Sequence, residues 1–345
     1  MILAQFTDAR VNPELEAMFA IGVDEMSWDD LDAAHYDWPT VEGARQYRDT
    51  VKARICAFIK SMPIKLPITQ DCPAWLVLMG VEHERIHLET SSVIMRMLPL
   101  NLIDEAKAKA WPVCTDVGIA PSVEWLPVPA VTVRLGKEAS DRCYGWDNEY
   151  GCDEQQVEQF KVGTTLVTNQ DFLGFVEAGG YQEESYWSQE GKQWLAYTLA
   201  RHPKFWRPSL DGKYVQRNLF SEMPLPMNWP VEVNYLEAKA YCNWMREKSG
   251  EPVRLLTEAE WYVLRQSELG GVPGDGNINL EQYASPCPVT ANQQGGLCDV
   301  TGNVWQWTES AIDGLPGFEV HPWYDDFSTP TFDGKHNLIK GGSWI

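Results

Sequence analysis

The segment Glu82-His83-Glu84-Arg85-Ile86-His87-Leu88-Glu89 concentrates the side chains best suited to hold a cation. On a helix, residues four apart are turned by only about 40° around the axis, so His83 and His87 offer both imidazoles to one metal ion. Glu89, six residues after His83, is turned by about 240° and points largely away. Its expected place is outside the ligand set, as a structural carboxylate or one that orients a ligand from a neighbouring helix. Glu82 and Glu84 flank the pair, with plain solvated charge as the alternative. His83-Glu84-x-x-His87 also fits the zinc-hydrolase pattern in which the glutamate activates bound water, but no third ligand follows at the usual spacing. Two surface histidines on a helix are the bland reading.

Two imidazoles complete no metal site. His35, His202, His321 and His336 are the other histidines of the chain, and His35, in AHYDWP, reads better as a loop or core residue. Arg45 and Arg48 are three apart and share a helix face, where they can clamp substrate carboxylates; a solvated helix surface explains them equally well.

These residues need elements to hold them. VEGARQYRDTVKARICAFIKSM (41–62) spaces Ala44, Tyr47, Val51, Ile55 and Ile59 as an amphipathic helix. PAWLVLMGVEHERIHLETSSVIMRMLP (73–99) is a second long helix, with Leu76, Met79, Ile86, Val93 and Met97 at a helical period. Such helices suggest an antiparallel bundle whose sites form from facing side chains. Near residue 120 the texture changes to proline and β-branched residues, which places a boundary between 1–120 and 121–345. Beyond it lie strand candidates at VTVRLG and QFKVGTTLVT. Two capped helices follow, 168–180 with Thr168 as N-cap and 234–250. Thr257 and Glu260 make a capping box. Asp299, Asn303, Trp305 and Trp307, in DVTGNVWQW, read as a scaffold of turns locked by buried indoles. The fold class is α+β, and there is no internal repeat.

The chain has 345 residues, 44% of them apolar, and a net charge of −21. It can bury a core, and it offers no basic stripe for nucleic acid. No apolar run approaches the roughly 20 residues of a membrane span, and the N-terminus lacks the pattern of a signal peptide. Eight cysteines without a CxxC pair read as reduced thiols in a cytoplasmic protein.

GVDEMSWDDLDAAHYDWP (22–39) and GVEHERIHLETSS (80–92) resemble the DinB-like bundle of the sulfoxide synthases of ovothiol biosynthesis. GWDNEYG (145–151), VTNQDFLGFVEAGGY (167–181), RLLTEAEW (254–261), DVTGNVWQWTES (299–310) and KGGSW (340–344) resemble the formylglycine-generating-enzyme, or sulfatase-modifying-factor, fold, a C-type-lectin-like domain. The resemblance implies a 5-histidylcysteine sulfoxide synthase. Such an enzyme uses non-haem Fe(II) and O2 to join the sulfur of cysteine to the imidazole of histidine; ergothioneine-type relatives act on trimethylated histidine. It gives His83 and His87 to the iron, and Tyr324, in GFEVHPWYDDFS, to the reacting oxygen as a proton or hydrogen-bond donor, with a core tyrosine as the alternative. His321, three residues earlier, can be mistaken for the third ligand. In the family that ligand lies on a helix preceding GVDEMSW. The first helix and the C-terminal end of the pattern are therefore expected to be missing here. A zinc hydrolase and a non-catalytic binding module remain as rivals.

Overall fold

The computed structural model describes residues 2–7, 10–20, 37–104, 106, 109–270, 276–325 and 327–345. His35 and most of the segment 22–39 lie outside the described residues. The chain divides into two compact units, Met1–Arg85 with Gly136–Asp153 and Asp313–Lys335, and Ile86–Leu135 with Glu154–Ile312 and His336–Ile345.

Helices dominate the first unit: α1 (Ile2–Phe6), α2 (Pro13–Ala20), α3 (Val41–Ser61) and the first half of α4 (Pro73–Met97). Thr40 caps α3 through the Gly43 N–H, one of the orphan donors of a helix start. The inward face of α3 runs Ala44, Tyr47, Val51, Ile55 and then Phe58, not Ile59, which is exposed. Phe58 stacks on Phe6 of α1 at 6.3 Å, and a ring there covers more apolar surface than a branched side chain one position on. Trp75, Leu76 and Met79 of α4 form a core with Tyr150, backed by Ile2, Phe6, Tyr144, Trp146, Trp323 and Tyr324. The Tyr150 loop is tied to the chain at Lys137 by reciprocal backbone bonds between Lys137 and Gly151. Gly151 has φ +117°, and a Cβ there would lie 2.8 Å from the Pro316 carbonyl oxygen, so only glycine lets these segments close.

The second unit is mixed helix and strand. Its sheets are small: β1 (Trp125–Val128) pairs with β4 (Phe160–Gly163), β2 (Val131–Leu135) with β3 (Asp153–Val157), and β10 (Gln306–Ala311) with β11 (Asn337–Lys340). β5 (Trp206–Pro208), β6 (Tyr214–Arg217) and β7 (Glu222–Pro224) form an antiparallel meander, and β8 (Gln293–Gln294) and β9 (Leu297–Cys298) a short ladder. The strand candidates are trimmed to 131–135 and 160–163 by these turns. Three of its helices start at capping boxes: α5 (Asn169–Glu177) at Thr168, α7 (Tyr235–Ser249) at Asn234 and α8 (Glu258–Gln266) at Thr257. Helix α6 (Gln189–Thr198), capped by Ser188, lies in a polar stretch with no apolar stripe long enough to announce it. Phe172, Phe175, Trp187, Trp206, Tyr241 and Trp244 make an aromatic core. No disulfide links the described cysteines, and no described helix is long and apolar enough to cross a membrane.

Candidate active site

His83 and His87 both lie on α4, one turn apart, so the helical period puts them on one face. His83 is half-buried and belongs to the first unit, and His87 is exposed in the second. Tyr324 meets His83 edge to face, with ring centroids 6.0 Å apart and planes at 89°. That contact joins the helix-borne histidine to the tyrosine that the family resemblance points to. Around it runs a chain of rings: Tyr324 packs on Phe327 at 5.1 Å, Phe327 stacks on Trp146 at 4.1 Å, and Trp146 meets Tyr144 edge-on at 5.6 Å. Trp75, Met79, Asp147 and His321 complete a narrow crevice with these residues in the first unit.

Asp147 is buried on this crevice and accepts hydrogen bonds from the Ser328 hydroxyl, the Asn148 N–H and the His321 N–H. It fixes the chain carrying Tyr324 against the 145–151 turn. His321 is also buried; its Nδ1 accepts from the Trp323 N–H at 3.3 Å. Burial holds its imidazole below the usual histidine range, against smaller opposing effects of the Gln70 backbone and Asp147. Burial also pushes the Tyr144 phenol far up, with Glu149, Glu82 and Asp147 adding to the effect. Sequence reasoning passed over Asp147 and Tyr144. The GWDNEYG signature contains Asp147, yet an aspartate in a turn usually marks only a cap.

Glu89 sits within the second unit. One of its carboxylate oxygens accepts from Trp305 Nε1 at 2.9 Å and from Ser343 Oγ at 2.6 Å. It ties α4 to the DVTGNVWQW and KGGSW segments. Trp305 is 43% exposed, so it acts as an anchor at the surface and not as a buried indole. The turn beside it is a closed polar network. Asn303 donates to Asp299 at 2.9 Å and to the Cys287 carbonyl at 3.1 Å, accepting from the Cys287 N–H at 2.9 Å. Asp299 and Asn303 both adopt positive φ. Trp307 Nε1 donates to the Val233 carbonyl. These residues are scaffold.

Arg45 and Arg48 lie exposed on α3, Arg48 pairing with the adjacent Asp49. Neither is joined to His83 or Tyr324. His202 and His336 lie in the second unit. A separate cavity of about 660 Å³ in the second unit, lined by Trp125, Phe172, Tyr241, Trp244 and other largely apolar side chains, contains none of the candidate site residues.

The donor chemistry suits a divalent transition metal in part. Neutral imidazoles are good ligands for ferrous iron and zinc. Among the described residues, however, no group of three or more His, Cys, Asp or Glu side chains is disposed to hold an ion. His83 and His87 fit two positions, and further ligands must come from outside the described residues or from substrate.

The Sulfatase-modifying factor enzyme 1-like domain family matches residues 123–271, most of which lie in the second unit. Hercynine oxygenase of Mycobacterium tuberculosis is 30% identical over 320 residues, covering 87% of this chain and 70% of that protein. Hercynine oxygenase of Mycolicibacterium smegmatis is 28% identical, covering 96% and 79%. Ergothioneine biosynthesis protein 1 of Schizosaccharomyces pombe is 24% identical, covering 89% of this chain and 40% of that protein. The matched domain and these relatives mark an enzyme of the oxidoreductase class built on a sulfatase-modifying-factor domain. The chain belongs to the hercynine oxygenase family of sulfoxide synthases.

Proposed function

We propose that this chain joins the sulfur of a cysteine-type thiol to the imidazole carbon of a histidine-type acceptor, using O2 and Fe(II). The observation that carries the reading is the packing of Tyr324 against His83. In balance, the thiol S–H and the ring C–H are broken and C–S and S=O bonds form. One oxygen atom enters the sulfoxide and the other leaves as water with the two hydrogens. His83 and His87 would hold ferrous iron together with further ligands, and the ion would supply O2 activation and thiolate binding.

This chain's own residues do the rest. The Tyr324 hydroxyl is a proton carrier beside the reacting atoms, and the rings of Trp146 and Phe327 fix its plane. The aromatic lining keeps water from the site, which favours coupling over loss of the oxidant to solvent. Glu89 locks the rotation of α4 and so the direction of His87. The names of the relatives favour hercynine, trimethylated histidine, as acceptor. Histidine, as in ovothiol biosynthesis, is the second reading, favoured by the motifs of 80–92. The domain of residues 1–120 is proposed as the DinB-like metal-binding part, and the protein as cytoplasmic.

Anaerobic titration with Fe(II), followed by O2 uptake with cysteine and either acceptor, tests the proposal. Coupling with hercynine or histidine is expected. Retention of zinc with no thiol-dependent O2 uptake would leave a zinc hydrolase in its place. Tyr324→Phe is expected to shift product towards cysteine sulfinate, and an unchanged product ratio would remove Tyr324 from the reaction.

A further inference from the structure

One buried carboxylate holds both ends of the stretch that carries Tyr324. Asp147 is only 5% exposed. Its Oδ2 accepts from the N–H of His321, three residues before Tyr324, at 3.4 Å. Its Oδ1 accepts from the hydroxyl of Ser328, four residues after Tyr324, and from the Asn148 N–H at 2.8 Å. A stretch of that length could extend over roughly 25 Å, yet its two ends meet at one side chain. A carboxylate suits the place because both its oxygens accept, whereas an amide would turn a donor towards a donor. His321 is pinned a second time, since its ring hydrogen-bonds with the Gln70 backbone. Phe327 stacks on Trp146, the residue before Asp147, at 4.1 Å.

The carboxylate is itself fixed to the helix that bears His83. The Glu149 side chain accepts from the Trp146 N–H at 2.9 Å and closes the turn around Asp147. Tyr150, at the end of that turn, packs on Trp75 with ring centroids 6.0 Å apart, in the core that Trp75, Leu76 and Met79 of α4 build. His83 and Tyr324 are therefore both referred to the first half of α4, one directly and the other through Asp147. The crevice among these rings has no room for a water molecule. Close packing of this kind leaves the Tyr324 ring little freedom once both ends of its stretch are held.

We propose that Asp147 is a positioning residue for the reaction. By accepting from both ends of the 321–328 stretch it keeps the Tyr324 phenol at His83, and so decides which product forms. This deepens the functional reading given above and rests on it for the role of Tyr324. Asp147 itself touches neither substrate nor metal; it acts through the tyrosine.

The test uses the whole chain labelled with 3-fluorotyrosine, the ¹⁹F line of Tyr324 being assigned by its loss in Tyr324→Phe. Asp147→Ala should move or broaden that line in the metal-free protein. With Fe(II), cysteine and hercynine, the same variant should lower the ratio of sulfoxide to cysteine sulfinate by roughly tenfold to a hundredfold, the effect of a misplacement of about 1 Å. Asp147→Asn, which keeps one accepting oxygen, should fall between wild type and Asp147→Ala in both measurements. Ser328→Ala removes one of the two pins and should give a smaller change of the same kind, which keeps the test open if Asp147→Ala does not fold. Thr40→Ala, which deletes the N-cap of α3 in the same unit, should lower Tm and leave the line and the ratio unchanged. A Tyr324 line unmoved in Asp147→Ala and Asp147→Asn overturns the proposal. So does a product ratio that Thr40→Ala shifts as far, because Asp147 would then matter only for stability. Sulfoxide formation by wild type with an unmoved line sinks the positioning role and keeps the functional reading. A displaced line in a protein whose wild type forms no C–S bond keeps Asp147 as the holder of Tyr324 and sinks that reading.

Discussion

Helix α4 has two halves that obey different rules. From Trp75 to Met79 the buried positions are the apolar ones, and Trp75, Leu76 and Met79 all lie in the core of the first unit. From Glu89 to Arg96 the pattern inverts. Ser92 and Arg96 are buried, while Val93 and Ile94 stand 46% and 61% exposed. What turns the second half inward is a set of polar anchors. Arg96 makes a two-pronged pair with Glu232 at 2.7 and 2.6 Å, donates to the Arg217 carbonyl and lies 3.6 Å over the Phe205 ring. Arg217 returns hydrogen bonds to the carbonyls of Arg96 and Leu98 at the end of α4. A guanidinium there satisfies the orphan carbonyls and meets the negative end of the helix dipole. One half of the helix is held by transfer of apolar surface, the other by charge-assisted hydrogen bonds whose partners are distant in sequence.

The comparison is sharpened most by removing the anchor. Arg96→Ala leaves the Glu232 carboxylate and the Arg217 carbonyl without their donor. Loss of one partner of a buried pair costs about 3–5 kcal/mol, and the lower end is expected because Glu232 is partly exposed. Leu76→Ala in the first half is expected to cost about 2–4 kcal/mol through lost burial and a residual cavity. Urea denaturation of both variants measures the two. If Arg96→Ala proved milder than about 1 kcal/mol, below the usual cost of breaking a buried pair, apolar packing would hold the whole helix and the contrast would fail.

This contrast also explains what was legible in the sequence. The period of 73–99 announces a helix and the pair His83/His87 upon it, because both are local. It does not announce the face: Val93 and Met97 continue the apolar period yet point to solvent, since Arg96 needs partners more than 120 positions away. The N-cap at Thr168 and the capping box at Thr257 were readable for the same reason of locality, with the partner three residues on. Asp147, Tyr144 and the burial of His321 were not. Their meaning lies in the meeting of three separated segments, around 75–83, 144–150 and 321–328. Arg45 and Arg48 show the other side of locality: shared spacing on a helix suggests a clamp, and α3 leaves both in solvent.

A smaller effect separates anchoring from mere contact. Glu89 accepts from both Trp305 and Ser343. Trp305→Phe keeps most of the ring and deletes one hydrogen bond to a charged acceptor. Such bonds are worth about 1.5–3 kcal/mol when buried. With Trp305 partly exposed, about 1 kcal/mol is expected. Ser343→Ala combined with Trp305→Phe should cost more than the sum of the two, because the Glu89 oxygen then loses every donor named here. Simple additivity in a double-mutant cycle would show that Glu89 is solvated without them, and its part in fixing the rotation of α4 would fall.

The smallest expected effect is the most direct check on which face of the second half looks outward. Ile94 is apolar, helical and on the same stretch as Arg96, yet exposed. Glutamine has nearly the helix propensity of the best formers, and isoleucine slightly less. Ile94→Gln should therefore change the unfolding free energy by no more than about 0.5 kcal/mol, the usual range for surface sites. A loss above about 1.5 kcal/mol would equal the burial of a whole aliphatic side chain. It would mean that Ile94 is covered in the working protein, and that the second half of α4 is held by apolar packing on one face as well as by Arg96 on the other.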